Sequence, residues 1–361
     1  MDRKDAIAWI VSLCASCRLS QAKTLSHCCW AALRLSRAGL GELGRLLAVD
    51  TGIAAKHAIK RVDRFLGNRR VEPVEAMRGV VGFLAQPRQR LLVSMDWVDI
   101  RQFPCVVLAA RLRGRAVPLL WQAYRPGDLF RSQNSLEYGL LQALRTMVPS
   151  STQVVLLADR GLGRAEMARV CQELRFDYIL RIKPDVYVKC PQFTGKLLDL
   201  PVRVGCRKVL RNVAYRKERP VQQNVAVAWY EGQRQAWFLA TNLPRLGALK
   251  LTQIFAHRMS IEEYFRDAKS LRNGFALRLT LIQSPERLNR LLLILALAYL
   301  LLVMIGLYAS GRYRSGRWCS NNRAGECSLV TVGRVMLQTP LPSLIRLARD
   351  LRREITGANW G

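Results

Sequence analysis

Three carboxylates lie close together in one segment of the chain, HRMSIEEYFRDAKS at positions 257–270. The segment has almost no turn-forming residue and predicts a helix, which rotates by about 100° per residue. On that helix Glu262 falls about 40° from Arg258. Glu263 and Asp267 fall about 140° and 180° from the same arginine. Glu262 is therefore the acid predicted to share a helix face with a cation.

The same face holds two further side chains. Lys269 and Phe255 fall about 20° and 60° from Arg258 if the helix runs unbroken from Phe255 to Lys269. A surface ion pair between Arg258 and Glu262 at i, i+4 would contribute only roughly 0.2–0.5 kcal/mol. Such a pair would account for Arg258, but not for two aspartates that come earlier in the chain.

Those aspartates each end a short apolar run. Asp96 ends LLVSMD, and Asp159 ends VVLLAD. Continuous apolar runs of this length are typical of strands buried on both faces, and sites in such sheets form beyond the carboxyl ends of the strands. Together with Glu262 they give three carboxylates, a donor set that suits hard divalent cations such as Mg²⁺. Two such ions can clamp the attacking and leaving oxygens of a phosphoryl displacement, and Arg258 and Lys269 would bind DNA phosphates beside them.

The order of elements around these residues predicts an α/β fold. Three strands, a helix, a strand, a helix and a strand follow one another before residue 182, and the next segment is rich in β-forming residues. Within that segment, VAVAWYEGQRQAWFLATN predicts a hairpin with EGQ at its turn. The predicted regions are a helical domain at 1–85, the first part of the core at 86–182, a β-rich insertion at 183–250, the second part of the core with the catalytic helix at 251–310, and a basic helical tail at 311–361. Within the tail, NNRAGE at 321–326 is predicted to be a loop and the segment near 340–354 a helix.

The amino-terminal region predicts a DNA-contacting pair of helices. GLGELGRLL and IAAKHAIKRVDRFL have helical patterns and are joined by AVDTG, which contains a glycine. A helix, a short turn and a basic helix outline a helix-turn-helix DNA-binding unit. Its second helix carries the basic side chains Lys56, Lys60, Arg61 and Arg64, which we expect to contact DNA. A small helical bundle in a basic protein would give the same outline.

The charge of the chain favours a polyanionic partner. It has 57 Lys and Arg against 26 Asp and Glu, a net charge of +31. Such a field attracts nucleic acid, although an anionic membrane surface would also attract it. Hydrophobic residues make up 50% of the chain, which is enough for a large core.

One stretch has the length of a membrane span. Residues 291–309, LLLILALAYLLLVMIGLYA, carry no charge, and length alone makes them a transmembrane candidate. A helix buried on all sides of a large protein has the same composition. Basic residues flank both ends and no second span exists, so we expect a helix buried behind the catalytic one.

Ten cysteines are scattered along the chain, a pattern typical of reduced thiols in a cytoplasmic protein. Cys14 and Cys17, followed by His27, Cys28 and Cys29, loosely resemble a metal site. Zinc sites normally repeat a paired spacing, which is absent in this segment. Buried thiols on a helix face are the preferred interpretation.

The three carboxylate segments resemble those of bacterial insertion-sequence transposases with an Asp-Asp-Glu triad, in particular insertion-sequence family four. That family carries Tyr, two residues, Arg, three residues, Glu, six residues, Lys. The chain has Phe255, Arg258, Glu262 and Lys269 at those spacings, so phenylalanine replaces the tyrosine. SMDW resembles the family's first aspartate segment and ADRGLG its second, with Leu162 where an aromatic residue is common. The resemblance spans about residues 90–310.

The resemblance implies an RNase H-like catalytic core interrupted by a mostly β insertion. It implies that Asp96, Asp159 and Glu262 are catalytic and bind two metal ions, Mg²⁺ or Mn²⁺, and that Phe255, Arg258 and Lys269 face DNA. The implied reaction is cleavage at the ends of the element and strand transfer into target DNA, carried out by a cytoplasmic homodimer on DNA, with no membrane involved.

Three other classes of protein remain open. An RNase H-like nuclease or resolvase would use the same metals and cut without joining. A DNA-binding regulator derived from an inactive transposase would bind element ends without cutting. A basic membrane protein would pellet with membranes.

Overall fold

A computed structural model describes residues 1–85, 90–112, 114–130, 132–215, 220–271, 274–319 and 327–356. Within these ranges the chain combines one large β-sheet with helices before, between and after the strands. The predicted mixed α/β class is confirmed.

The sheet contains ten strands in the described residues. They are β1 (Arg90–Ile100), β2 (Phe103–Leu112), β3 (Arg115–Ala123), β4 (Gln153–Ala158), β5 (Asp177–Arg181), β6 (Tyr187–Cys190), β7 (Phe193–Lys196), β8 (Arg207–Tyr215), β9 (Val221–Ala228) and β10 (Trp237–Thr241). Their order across the sheet is β3-β2-β1-β4-β5-β10-β9-β8-β6-β7. The strands β1, β4 and β5 are parallel to one another, and the other neighbours are antiparallel.

The β-rich segment at 183–250 continues this sheet. Its strand β10 pairs antiparallel with β5, through Leu239 opposite Arg181. The hairpin predicted in VAVAWYEGQRQAWFLATN is confirmed as β9 and β10. The insertion therefore adds five strands to the edge that β5 would otherwise leave unpaired, an arrangement that covers an edge able to pair with other chains.

Thirteen α-helices lie in the described residues. They are α1 (Arg3–Leu13), α2 (Leu19–Ala32), α3 (Leu40–Thr51), α4 (Ala55–Gly67), α5 (Pro73–Ala76), α6 (Arg78–Ala85), α7 (Gln133–Met147), α8 (Ala165–Glu173), α9 (Ala248–Ala256), α10 (Ser260–Lys269), α11 (Pro285–Ser310), α12 (Leu329–Met336) and α13 (Leu344–Thr356). The helix expected near 340–354 is α13, and the expected loop NNRAGE lies outside the described residues.

The two faces of the sheet are covered by different helices. Side chains alternate between the faces along a strand. In β1, Leu92 packs in a cluster with Leu251 and Phe255 of α9, whereas Val93 belongs to the larger core with Leu141 of α7. Helix α9 therefore covers the face to which Leu92 points, and α7 covers the other.

The predicted amino-terminal pair of helices is α3 and α4. Gly52 caps α3 in the left-handed conformation, with φ of 71°, where glycine carries no steric penalty. Gly44 of α3 lies so close to Ile59 of α4 that an added Cβ would be 2.5 Å from the isoleucine Cγ1. The two helices therefore cross in direct contact, with a glycine at the crossing.

The apolar stretch forms α11, a single helix of 26 residues that is long and apolar enough to cross a membrane. In this fold 94% of its most apolar window is buried. It packs against α2, α4, α12, α13 and β3, and Tyr299 donates a hydrogen bond to Asp267 of α10 at 3.1 Å. The protein interior thus accounts for its composition, and the expected packing behind α10 is observed.

Shortening one buried side chain of α11 tests this burial. Ile294 of α11 is fully buried, so Ile294→Val should lower the free energy of unfolding by about 0.5–1.5 kcal/mol. The same change at Ile345, which is 82% exposed, should cost less than about 0.5 kcal/mol. Urea unfolding of both variants measures the difference. Equal stabilities, together with recovery of the protein in alkali-washed membranes, would revive the membrane interpretation.

Candidate active site

The first two predicted site residues lie at matching positions on neighbouring parallel strands. The parallel pairing of β1 with β4 ends at Met95 opposite Ala158, and Asp96 and Asp159 are the next residues on each strand. The prediction that the first strand ends near Asp96 was wrong, because β1 continues to Ile100 by pairing with β2. Both aspartates nevertheless lie where the parallel pairing stops.

The predicted unbroken helix from Phe255 to Lys269 is also corrected. Helix α9 ends at Ala256, a 3₁₀ segment follows at His257–Met259, and α10 begins at Ser260. A 3₁₀ turn is tighter than an α-turn, so a straight helical projection does not hold across this junction. Arg258 lies in the junction and is only 7% exposed.

Arg258 contacts all three carboxylates of the predicted triad. Its Nη1 donates to Asp96 Oδ2 at 3.2 Å, and its Nη2 donates to Glu262 Oε1 at 2.7 Å. The same Nη2 lies 3.9 Å from Asp159 Oδ2. Three acids from β1, from the end of β4 and from α10 therefore surround one guanidinium, although 162 residues separate Arg258 from Asp96.

The surroundings of the two aspartates differ. Burial raises the pKa of Asp96, and the charge of Arg258 and the backbone N–H of Trp97 oppose that rise. Asp159 Oδ1 is buried without a hydrogen-bond partner, and its nearest cation is Arg181, with Nη1 at 3.6 Å. The guanidinium of Arg181 lies over the Trp237 ring, 4.8 Å from its centroid. Sequence reasoning missed Arg181, although its place at the end of β5, beside β4, was a usable signal.

The other two acids of the opening segment point elsewhere. Glu263 accepts from Arg115 at 3.1 Å and from Arg266 at 2.9 Å. Asp267 is 7% exposed and pairs with the same Arg115 at 3.0 Å. Burial raises the pKa of Asp267, and Arg115 opposes the rise. Both acids thus hold α10 against β3, away from the triad.

The predicted DNA-facing residues of this segment have other surroundings. Phe255 is 3% exposed and packs edge-to-face on Trp237, with ring centroids 5.8 Å apart, so it has almost no surface for a DNA contact. Lys269 is half-buried, and burial lowers the pKa of its ammonium, with Asp99 opposing. Arg258 faces carboxylates, where the sequence predicted phosphate.

The amino-terminal basic residues lie mostly on the surface. Lys56, Lys60 and Arg64 of α4 are exposed. Arg61 is half-buried and donates to Thr24 Oγ1 at 3.3 Å. One face of α4 therefore presents three cations to solvent, while its opposite face packs on the helical core.

The cysteine cluster has the properties of buried thiols. All ten cysteines are free. Burial raises the pKa of Cys14 and Cys28 to about 12, which keeps them protonated at neutral pH. Cys14, Cys28 and Cys29 are fully buried in the hydrophobic core, the surroundings of packed thiols.

The triad offers the donors that a divalent cation takes. Its three carboxylates supply oxygen ligands, and Asp159 Oδ1 has no competing hydrogen bond. In their present arrangement, the described residues contain no group of three Asp, Glu, His or Cys side chains close enough to hold a metal ion. At the triad, the guanidinium contacts all three acids, so a cation would compete with Arg258. The residues fit a metal in donor type and number.

Comparison with known families agrees with this geometry. Residues 123–301 match the family model described as the transposase DDE domain. The matched range contains Asp159 and Glu262 and begins after Asp96. A search of curated proteins found no match. The family match, which covers β4, β5, the added strands and α9 to α10, supports a DDE transposase.

Proposed function

We propose that the protein is a metal-dependent DNA transposase that cuts DNA at the ends of its element and joins those ends to target DNA. The observation that carries the proposal is the convergence of Asp96, Asp159 and Glu262 on one guanidinium. Three acids from distant parts of a chain seldom approach one another without a cation to balance them. The net charge of +31 favours a polyanionic substrate such as DNA.

Asp96, Asp159 and Glu262 would hold two ions of Mg²⁺ or Mn²⁺. The metals would supply stabilisation of the charge that develops on the attacking and leaving oxygens of the phosphodiester. The chain's own residues bind and orient the DNA around that centre. Arg181 lies beside that centre, with its Nη1 3.6 Å from Asp159 Oδ1, and can take a backbone phosphate. Lys269, on the same helix as Glu262, is a second candidate for a phosphate contact.

The finer family assignment is part of the proposal. The strand order β3-β2-β1-β4-β5, with β1, β4 and β5 parallel, supports an RNase H-like core. The spacing of Phe255, Arg258, Glu262 and Lys269 supports insertion-sequence family four. We further propose that the protein acts in the cytoplasm as a homodimer on DNA.

A direct assay tests the function. The purified full-length protein is incubated with a labelled duplex carrying the DNA that flanks its gene, a target plasmid, and Mg²⁺ or Mn²⁺. We expect cuts at defined positions and joined products that disappear with chelator. Cuts without joined products would favour a nuclease or resolvase. Binding without cuts in either metal would contradict the catalytic proposal.

A second experiment addresses the role of α4 in DNA binding. The single variants Lys60→Gln and Arg64→Gln should each bind the flanking duplex more weakly, because each variant loses one cation that we expect to contact a phosphate. The slope of log affinity against log salt should fall by about 1 per residue. Lys189→Gln, a change at an exposed position on β6, provides the matched control. If the Lys189 variant loses as much affinity as the α4 variants, binding depends on overall charge and not on α4.

A further inference from the structure

One buried acid outside the triad contacts both segments that carry the aspartates. Glu137 lies in α7, on the face of the sheet opposite to α9, and its residue is fully buried. Its Oε1 accepts a hydrogen bond from Trp97 Nε1 at 2.8 Å. Its Oε2 accepts from Arg164 Nη2 in a close ion pair. Sequence reasoning did not single out Glu137, because it lies at an ordinary polar position in an amphipathic helix.

The first partner of Glu137, Trp97, is the residue next to the first aspartate. Trp97 follows Asp96 on β1, and its backbone N–H donates to Asp96 Oδ1 at 2.9 Å. Because side chains alternate along a strand, Asp96 points toward Arg258 while Trp97 points toward α7. Holding the indole therefore fixes the rotation of β1 at the point where it leaves its parallel partner.

The arginine contact reaches the second aspartate in the same way. Arg164 Nη1 donates to the Gly161 carbonyl at 2.9 Å, and the Leu162 amide donates to the Asp159 carbonyl at 2.9 Å. The turn is also packed from behind, since a Cβ on Gly163 would lie 1.9 Å from the carbonyl oxygen of Arg181. Arg164 thus closes the turn that follows Asp159, and Glu137 anchors Arg164.

We propose that Glu137 is a positioning residue that fixes the spacing of Asp96 and Asp159 by bracing the two segments from the opposite face of the sheet. The proposal rests on the proposed function in assigning these aspartates to catalysis. A fully buried carboxylate is costly unless it is paired and hydrogen-bonded. Glu137 has both kinds of partner: Trp97 and Arg164 each belong to one aspartate segment, and Gln133 of α7 itself also donates to Oε1, at 3.3 Å. A glutamine would fill the same space, but it lacks the charge that pairs with Arg164 and has one acceptor oxygen for the donors of both Trp97 and Arg164.

Three variants separate the contact of Glu137 with Trp97 from its contact with Arg164. Trp97→Phe removes the indole N–H and keeps most of the packing, Arg164→Gln removes the cation, and Glu137→Gln keeps size and one acceptor. Amide hydrogen exchange of the full-length protein is measured in peptides covering 94–100 and 159–164. We expect faster exchange in the first peptide for Trp97→Phe, in the second for Arg164→Gln, and in both for Glu137→Gln, by about tenfold or more.

Cleavage of the flanking duplex is measured on the same variants. Glu137→Gln should cut about 100-fold more slowly, while its affinity for the duplex stays within about twofold, since phosphate contacts set that affinity. The Trp97→Phe and Glu137→Gln changes should be non-additive in cleavage, because they remove the same support. Asp350→Asn breaks a remote, partly exposed ion pair with Arg312, 2.8 Å long, and serves as the control for a purely structural loss.

The outcomes separate this inference from the proposed function. Unchanged exchange in both peptides of Glu137→Gln would overturn the positioning role, even if the wild-type protein cuts DNA. The role would also be overturned if Glu137→Gln exchanged faster along the whole chain and lost no more cleavage than Asp350→Asn, the two variants having equal thermal stability. If the wild-type protein cuts nothing in either metal, the proposed function fails, and the exchange pattern still decides whether Glu137 braces the two segments.

Discussion

Replacing Glu262 with glutamine should reduce DNA cleavage by at least about 10³-fold, the scale lost when an essential charged group leaves a preorganised site. The change keeps the size of the side chain and removes one of three charges that would balance divalent cations. Asp96→Asn and Asp159→Asn should have effects of the same order for the same reason. Binding of the flanking duplex should change little in all three variants, since Lys and Arg make the phosphate contacts.

The neighbouring acids provide matched controls on the same helix. Glu263→Gln loses ion pairs with Arg115 and Arg266 and should keep most of the cleavage rate. Asp267→Asn should instead reduce stability, by about 1–3 kcal/mol, because a buried partner of Arg115 and Tyr299 loses its charge. Cleavage rates are compared on protein–DNA complexes formed in advance at a temperature where every variant is folded. An inactive Glu263→Gln beside an active Glu262→Gln would refute the assignment of the triad.

The sequence was sufficient to single out the three acids and Arg258, but not to place the guanidinium among all three carboxylates. Apolar runs before Asp96 and Asp159 predict buried strands, and helical periodicity separates Glu262 from Glu263 and Asp267. These patterns are local, so they can be interpreted without knowledge of the tertiary contacts. The pairing of Arg258 with Glu262 at i, i+4 is local, but its contacts with Asp96 and Asp159 depend on where β1 and β4 meet the junction of α9 and α10. A phosphate and a carboxylate attract the same guanidinium, so residue type could not decide between them.

The break between α9 and α10 was also beyond the sequence. No proline or glycine marks His257–Met259, and every residue there can occupy an α-helix. The α9 side chain Phe255 packs on Trp237, whereas Asp267 of α10 pairs with Arg115 of β3. Each helix thus has its own attachment to the sheet, and a tighter turn between them adjusts their relative rotation. Tertiary contacts of this kind override helix propensity, which is a weak bias.

The course of the β-rich segment was predicted in part for a related reason. Alternating β-formers and the turn EGQ predict the hairpin of β9 and β10, which is a local arrangement. Pairing of β10 with β5 joins elements on either side of four intervening strands, and nothing in either strand specifies it. The same holds for Glu137, whose burial depends on Trp97 and Arg164 arriving from two other segments.

Removing the cation at the centre of the triad should make the protein depend on a divalent metal for stability. The Arg258 side chain is 9% exposed and balances three carboxylates, so Arg258→Met leaves those acids to repel one another. We expect the free energy of unfolding in chelator to fall by about 2–4 kcal/mol, toward the lower part of the range for breaking a buried pair, since the acids themselves are 27–41% exposed.

Divalent metal should then stabilise the variant more than the wild-type protein. In the wild type a metal must displace or share the contacts of the guanidinium, whereas in Arg258→Met the carboxylates are free to bind it, and ligand binding stabilises the folded state in proportion to RT ln(1 + [L]/Kd). Thermal unfolding with increasing Mn²⁺, without DNA, measures the effect independently of catalysis. Arg312→Met, which breaks the remote pair with Asp350, controls for the loss of an arginine. If Mn²⁺ raises the melting temperature of wild type, Arg258→Met and Arg312→Met equally, the guanidinium does not occupy the place of a metal.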